Sequence, residues 1–292
     1  MVTRASLALV LASLLWGTTG TAAHFFPADV SPLAVGASTM AVGGALLFLT
    51  SLRGSVAAIR DPLARRWLLI GAIGVVVYPL AFYTSMDLAG VAIGNVVSLG
   101  TGPVFAALLE WLWERHRLSL RWSICTAVAI GGIVLLAIGG DGDAGPDVPL
   151  GIALGALAGF AYALYTYASS RAIGTGQGSR AVMGAMFGLG AIPLVPVLVA
   201  LGAPLLQSWQ TVGLASYLAV GPMFVAYLLF GVGMRSLRST TATTITLLEP
   251  VVATVLAVTI VGERLGVVGW VGLAAILVAV TVLVTARRRV NS

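Results

Sequence analysis

Glu249 is the residue of this chain best placed to do chemistry. It stands beside Pro250 inside a long apolar run, 240–261. If that run crosses a bilayer, a charge near its middle costs roughly 3 kcal/mol or more, so it must face water or a partner. Proline has no N–H, so the carbonyl of Thr246 is expected to lose its helical partner. A free carbonyl beside a carboxyl group makes a small polar site, tolerated only where it faces a cavity. Two uses are open to Glu249: binding an ammonium group, or carrying a proton. The alternative is a carboxyl that packs helices, protonated or paired with a hydroxyl. Asn95, Ser98 and Gly102 form a second set, and spacings of three and four put them on one helix face. Asparagine donates and accepts hydrogen bonds, which suits a polar solute. It equally joins helix to helix, at about 1 kcal/mol. Pro103 frees the carbonyl of Leu99 as Pro250 frees that of Thr246, and Pro79 and Pro222 are further candidate kinks.

Other reactive side chains are scattered. The two histidines lie far apart, the acids are isolated, and no metal-ligand cluster or set of nucleophile and base is legible. Cys125, the single cysteine, excludes an internal disulfide. Glu110 sits near Arg115 and Arg117 and reads as a snorkelling or ion-paired acid. Asp87, His24 and Asp29 read as surface residues at helix ends. The segment 174–178 is glycine-rich, but no strand precedes it and no lysine follows, so it is a flexible connection and not a nucleotide loop. Enzyme chemistry therefore lacks its parts. A scaffold or receptor lacks any sizeable loop for a partner.

The elements that must position these residues are membrane helices. Hydrophobic residues make up 59% of the 292 and charged residues only 9%, against about 25% charged in a soluble domain. About 20 apolar residues cross a bilayer. Spans are expected over 5–24, 32–51, 67–86, 90–113, 122–140, 149–169, 180–201, 209–233, 240–261 and 266–286, with the Arg53 to Arg66 stretch as a loop. All 16 basic residues are arginine, and this threading puts every one except Arg264 on one side. Arginine is retained on the cytoplasmic side, so both termini are expected there. The first run also carries the Arg4, apolar core and small residues of a signal peptide, whose removal would leave nine spans and reverse that assignment. The net charge of +6 sits in short loops, which suits an anionic lipid leaflet and not nucleic acid.

The chain also repeats. A shift of 147 lays residues 67–140 on 214–287 without a gap, pairing Pro103-Val104 with Pro250-Val251 and Arg117-Leu118 with Arg264-Leu265. The halves are 1–143 and 144–292, and each carries five expected spans. Five is odd, so the second half enters the membrane from the opposite face. Inverted halves are the arrangement that exposes one central site to each side in turn. Inversion also carries Arg264, the counterpart of Arg117, to the far side, where Glu263 offsets it. Gly151, Gly155 and Gly159 leave a smooth stripe for close helix packing, within the chain or between subunits.

Several segments resemble the EamA family of the drug/metabolite transporter superfamily: Leu15-Trp16-Gly17, the stretch Gly90 to Gly94, the stretch Pro103 to Glu110, Leu248-Glu249-Pro250 and Gly262-Glu263-Arg264-Leu265. The first half departs from the pattern, reading Arg115-His116-Arg117-Leu118 at the last of these. The resemblance implies an all-α integral membrane protein of ten transmembrane helices in two inverted five-helix repeats, with a cavity lined mainly by helices 1, 3, 4, 6, 8 and 9. On those helices the aromatic candidates for solute contact are Trp16, Tyr78, Phe82, Tyr162, Tyr165 and Tyr227, which offer flat apolar walls with polar handles and attract ammonium cations. They join Asn95, Ser98, Thr246 and Glu249. The resemblance implies export of small metabolites, most often amino acids, across the bacterial cytoplasmic membrane; drug or organic-cation efflux is the alternative. The expected partners are a small-molecule substrate and the lipid bilayer, with a monomer as the working unit, no nucleic acid and no cofactor.

Overall fold

Backbone N–H and C=O groups find no water inside a membrane, so a chain this apolar forms helices that satisfy them internally. The computed structural model describes residues 4–27, 29–89, 91–115, 118–139, 146–262 and 264–285. Helices come in the order α1 (Arg4–His24), α2 (Pro32–Thr50), α3 (Leu52–Arg60), α4 (Pro62–Ala89), α5 (Val91–Glu114), α6 (Leu120–Ile138), α7 (Val148–Gly174) and α8 (Ser179–Leu201). They continue as α9 (Trp209–Leu218), α10 (Ala226–Met234), α11 (Ser239–Ile245), α12 (Glu249–Leu256) and α13 (Val267–Thr285). Helix starts are capped by their own side chains: Ser31 accepts from the Leu33 N–H, Asp147 from that of Leu150, and Ser208 from that of Thr211.

Among the described residues, seven helical stretches are long and apolar enough to cross a membrane: Arg4–His24, Pro32–Thr50, Pro62–Ala89, Val148–Gly174, Ser179–Leu201, Trp209–Met234 and Ser239–Ile260. Two shorter apolar stretches are Leu120–Leu136 and Val267–Leu283. Length and apolarity alone thus give seven crossings, and the count of ten expected from sequence needs α5, α6 and α13 as well.

Packing follows the repeat. α4 lies on α7, α5 on α7, α2 on α8, α6 on α13, and α1 on both α10 and α12. Exchanging the halves turns the α4–α7 pair into α10–α1 and the α5–α7 pair into α12–α1, while α2–α8 and α6–α13 map onto themselves. Close approaches fix the directions. A side chain at Gly44 would strike the Phe187 carbonyl, and one at Gly184 would strike that of Leu47. Position thus rises along α2 as it falls along α8, and the two run antiparallel. Gly132 and Gly272 each abut the other's carbonyl, and Gly139 abuts Gly269, so α6 and α13 are antiparallel too. The glycine stripe of α7 packs within the chain, with Gly151 against Ala89, Gly155 against Ser85 and Gly159 against the Ser98 carbonyl.

Local departures from the sequence reading have physical causes. The stretch from Arg53 to Arg66, expected as a loop, is mostly helical. α3 buries Ser55 and Ala58, and Ser55 donates to the Ala181 carbonyl at the start of α8. The span expected over 209–233 is broken. Pro222 supplies no N–H, and the chain around it widens into a π-helical turn over Ala219–Val225. The span over 240–261 is interrupted by a 3-10 turn at Thr246–Leu248 and a π-helical turn at Ala257–Val261. α5 by contrast runs through Pro103 and α4 through Pro79 without interruption. The expected counterparts Pro103 and Pro250 therefore sit in different local structure. Arg117 and Glu263 of the sequence argument lie outside the described residues.

Candidate functional site

A cavity opens between the helices that pack across the two halves. α1 contributes Trp16 and Thr19, and α2 contributes Gly36, Thr39 and Met40. α4 contributes Tyr78, Pro79, Phe82 and Tyr83, and α5 contributes Leu99. Tyr162 and Tyr165 come from α7, Pro222 and Met223 from the π-helical turn, Tyr227 from α10 and Glu249 from α12. Its volume is about 70 Å³, several times the about 10–15 Å³ that admits a water molecule.

The aromatic side chains form one connected wall. Tyr78 and Phe82, one turn apart on α4, stack at 5.4 Å between ring centres. Tyr162 and Tyr165 follow at 5.3 Å, Trp16 and Tyr227 at 5.0 Å, and Phe187 closes on Tyr227 at 4.2 Å from behind. Most of the polar handles are used within the wall. The Trp16 indole N–H donates to the Pro222 carbonyl at 2.8 Å, an oxygen presented by the π-helical turn. The Tyr165 and Tyr227 hydroxyls pair at 2.8 Å. Thr246 donates its hydroxyl proton to the Thr243 carbonyl, so the Tyr162 hydroxyl, 2.6 Å away, is the donor to Thr246.

Glu249 is different. It lines the cavity, is partly exposed, and its carboxyl makes no hydrogen bond or ion pair with any described residue. The free carbonyl expected beside it does not exist: the Glu249 N–H bonds the Thr246 oxygen and closes the 3-10 turn. Proline at 250 thus breaks the helix, and the shorter turn takes up the orphaned acceptor. Gly17 explains the Leu15-Trp16-Gly17 segment. A side chain there would meet Val252 and the Glu249 carbonyl, so glycine lets α1 close on α12 and carries Trp16 to the wall.

Trp16, Tyr78, Phe82, Tyr162, Tyr165, Tyr227, Glu249, Pro79 and Pro222 are brought together around the cavity. Thr246 stands one hydrogen bond behind it. Asn95 and Ser98 are not in its wall: Asn95 is half-buried on α5, and Ser98 is fully buried against α7 with its hydroxyl unpaired. Thr19, Thr39, Met40 and Tyr83 were not singled out from sequence. Tyr83 follows Phe82 on the same helix and was within reach of the aromatic count, whereas nothing in the pattern marks Thr19, Thr39 or Met40.

Glu110 is ion-paired, as one of the two expected readings has it, but with a different arginine. It is only 2% exposed, and Arg238 lies 3.9 Å from its carboxylate. Its carboxylate accepts from the Ser239 hydroxyl at 2.6 Å, the Thr240 N–H at 3.0 Å and the Thr240 hydroxyl at 3.2 Å. Arg115, one of its expected partners, stacks on Trp111 instead, 6.0 Å from the ring centre. One turn on, Glu114 pairs with Arg171 and Arg238, each at 3.1 Å, and accepts from the Tyr167 hydroxyl. Glu110 and Glu114 are four apart on one helix face, which was readable; their partners, more than 50 positions away, were not.

The profile of the EamA-like transporter family matches residues 3–138 and again 149–285. The uncharacterized transporter YwfM of Bacillus subtilis (strain 168) is 30% identical over 288 residues, covering 97% of this chain and 95% of that one. A solved crystal structure aligns with 99% of each chain at a TM-score of 0.79 and 22% identity, which shows a shared fold. The match in both halves and along almost the whole length places this multi-pass membrane protein in the EamA-like transporter family.

Proposed function

We propose that this protein is a secondary transporter that exports a small amine-bearing metabolite of the amino-acid class from the bacterial cytoplasm by alternating access. The observation that carries the reading is Glu249, an acid without an internal partner, facing an aromatic-walled cavity. A carboxylate at membrane depth needs a counter-charge or a proton. An ammonium group held among the aromatic rings meets that need, and a proton meets it in the solute's absence.

Ten crossings in two inverted five-helix halves are supported by the antiparallel α2–α8 and α6–α13 pairs. α5 has 24 residues, about 36 Å of helix, more than the about 30 Å of a hydrocarbon core. The one-sided arginines support cytoplasmic termini. On this reading Trp16, Tyr78, Phe82, Tyr162, Tyr165 and Tyr227 contact the solute with Glu249, Thr246 orients Tyr162, and the breaks at Pro222 and Pro250 are hinges. Pro79 and Pro103 lie inside uninterrupted helices. Asn95 and Ser98 reach the solute only after the halves rearrange. The working unit is the monomer and needs no cofactor.

One observation favours the organic-cation alternative: the cavity lining includes one acid and no basic side chain to meet a solute carboxylate. Efflux from proteoliposomes decides between them. Labelled amino acids and their decarboxylated amines are compared, with and without a pH gradient. Faster flux of amino acids supports the proposal, flux of amines alone selects the alternative, and a folded protein that moves neither refutes both.

A further inference from the structure

The α1, α2 and α4 parts of the cavity wall and the buried acid Glu110 lie at different depths. Trp16 and Thr19 are past the middle of α1, which starts at Arg4, and Tyr78, Phe82 and Tyr83 are in the last half of α4, which starts beside Arg65 and Arg66. Gly36 and Thr39 are in the first half of α2, whose far end leads to Arg53. On α1, α2 and α4 the lining is therefore set toward the arginine-poor face, while Tyr165 and Tyr227, on helices that end beside Arg171 and Arg235, reach toward the other. On the arginine-rich face side-chain bonds cross between the halves, beside a pocket lined by Arg66, Trp67, Glu114 and Arg171. Glu110 and Glu114 belong to the first half. Their partners Tyr167, Arg171, Arg238, Ser239 and Thr240 all belong to the second.

α11 has no side-chain cap of its own, and the Glu110 carboxylate supplies one from the other half. An acid at that end satisfies open N–H groups and favours the helix dipole. The helix it holds is also the one that continues, through the 3-10 turn, to Glu249. The arrangement is one-sided. The 147-residue shift sets Glu110 against Ala257 and Glu114 against Val261, so the other face has no carboxylate at either position.

We infer that Glu110 and Glu114 form a latch that closes the arginine-rich side of the cavity, positions the Glu249-bearing helix, and must release before the site opens to that side. This rests on the alternating-access reading. The latch biases the resting protein toward the state open to the arginine-poor face. Glu114, Arg171 and Arg238 are 26%, 40% and 46% exposed, so water reaches them first, and Glu110 releases last.

The test uses a reporter cysteine at Thr243, between the latch and the cavity, in full-length protein with Cys125→Ser. An impermeant thiol reagent is applied to each face of oriented vesicles. The parent is expected to resist labelling from the arginine-rich face. The pair Glu110→Gln with Glu114→Gln is expected to label about tenfold faster from that face, a shift of population toward the opened state. Glu114→Gln alone, milder should the pair fail to fold, is expected to label about threefold faster. Labelling no faster than the parent overturns the latch. A cross-link between Glu114→Cys and Arg238→Cys is expected to stop flux until it is reduced, and undiminished flux with complete cross-linking also overturns it. A parent that moves no solute counts against the transport reading, while labelling still decides the latch.

Discussion

Glu110 and Glu249 are both acids on apolar helices, and the protein treats them in opposite ways. Glu110 is 2% exposed and accepts three hydrogen bonds from the start of α11. Glu249, further along the same helical span, accepts none and faces the aromatic wall. An acid with a complete set of donors holds structure; an acid without one is left for something that comes and goes. The two ends of one broken helix thus divide the work: one fixes it, and the other is free to bind.

The largest effect is expected at the fixed end. Glu110→Ala leaves the Thr240 N–H and two hydroxyls without their acceptor inside the bundle, and removing one member of such a buried set costs about 3–5 kcal/mol. Unfolding in detergent checks this. A loss no larger than that of Glu249→Ala would erase the distinction between the two acids. At the free end the expectation reverses. Glu249→Gln removes no internal bond and is expected to leave unfolding unchanged, while slowing flux at least about tenfold, or about 1.4 kcal/mol at the site. Undiminished flux in Glu249→Gln across about pH 5 to 8 would remove Glu249 from the mechanism.

How far this contrast was readable depends on distance along the chain. The helices follow from apolar runs, and the two-half organisation follows from the repeat. Glu249 and six aromatic residues follow from residue type on the expected cavity helices. Thr39 and Met40 do not, because a helix apolar on every side gives no periodic signal for the face that meets the cavity. The breaks also hide: Pro103 and Pro250 look alike in sequence, yet α5 continues as helix through its proline while Pro250 follows a 3-10 turn. Glu110 is legible as an ion-paired acid but not by partner: its near neighbours in sequence are Arg115 and Arg117, whereas its ion pair is with Arg238 and its hydrogen-bond donors lie 129 and 130 positions away.

A finer cut tests the wall between the two acids. Tyr162→Phe removes one hydrogen bond, the donation to Thr246, and keeps the ring. Interhelical bonds of this kind average about 0.6 kcal/mol in a membrane, so stability is expected to fall by about that much. Flux is expected to fall more than stability if the bond orients the ring toward the solute. Equal flux in Tyr162→Phe and the parent would make Tyr162 a packing residue and narrow the site to Glu249 and its nearer rings.

The smallest effect is expected farthest from the cavity. Asp61, between α3 and α4, accepts from the Gln177 side chain at 2.8 Å and from the Leu63 N–H at 2.9 Å. The Gln177 bond first, and the Leu63 bond after it, hold the Asp61 carboxyl below its usual range. A lowered folded value gives a contribution that is complete above the usual carboxylate range and disappears as pH falls through the folded value. Hydrogen exchange at the Leu63 N–H should therefore be protected evenly from neutral pH down to that range and lose protection only below it. Asp61→Asn, which cannot ionise, should remove the step. A step of the same size in Asp61→Asn would assign it to another group and cut this loop contact out of the comparison, leaving the two membrane acids as its only terms.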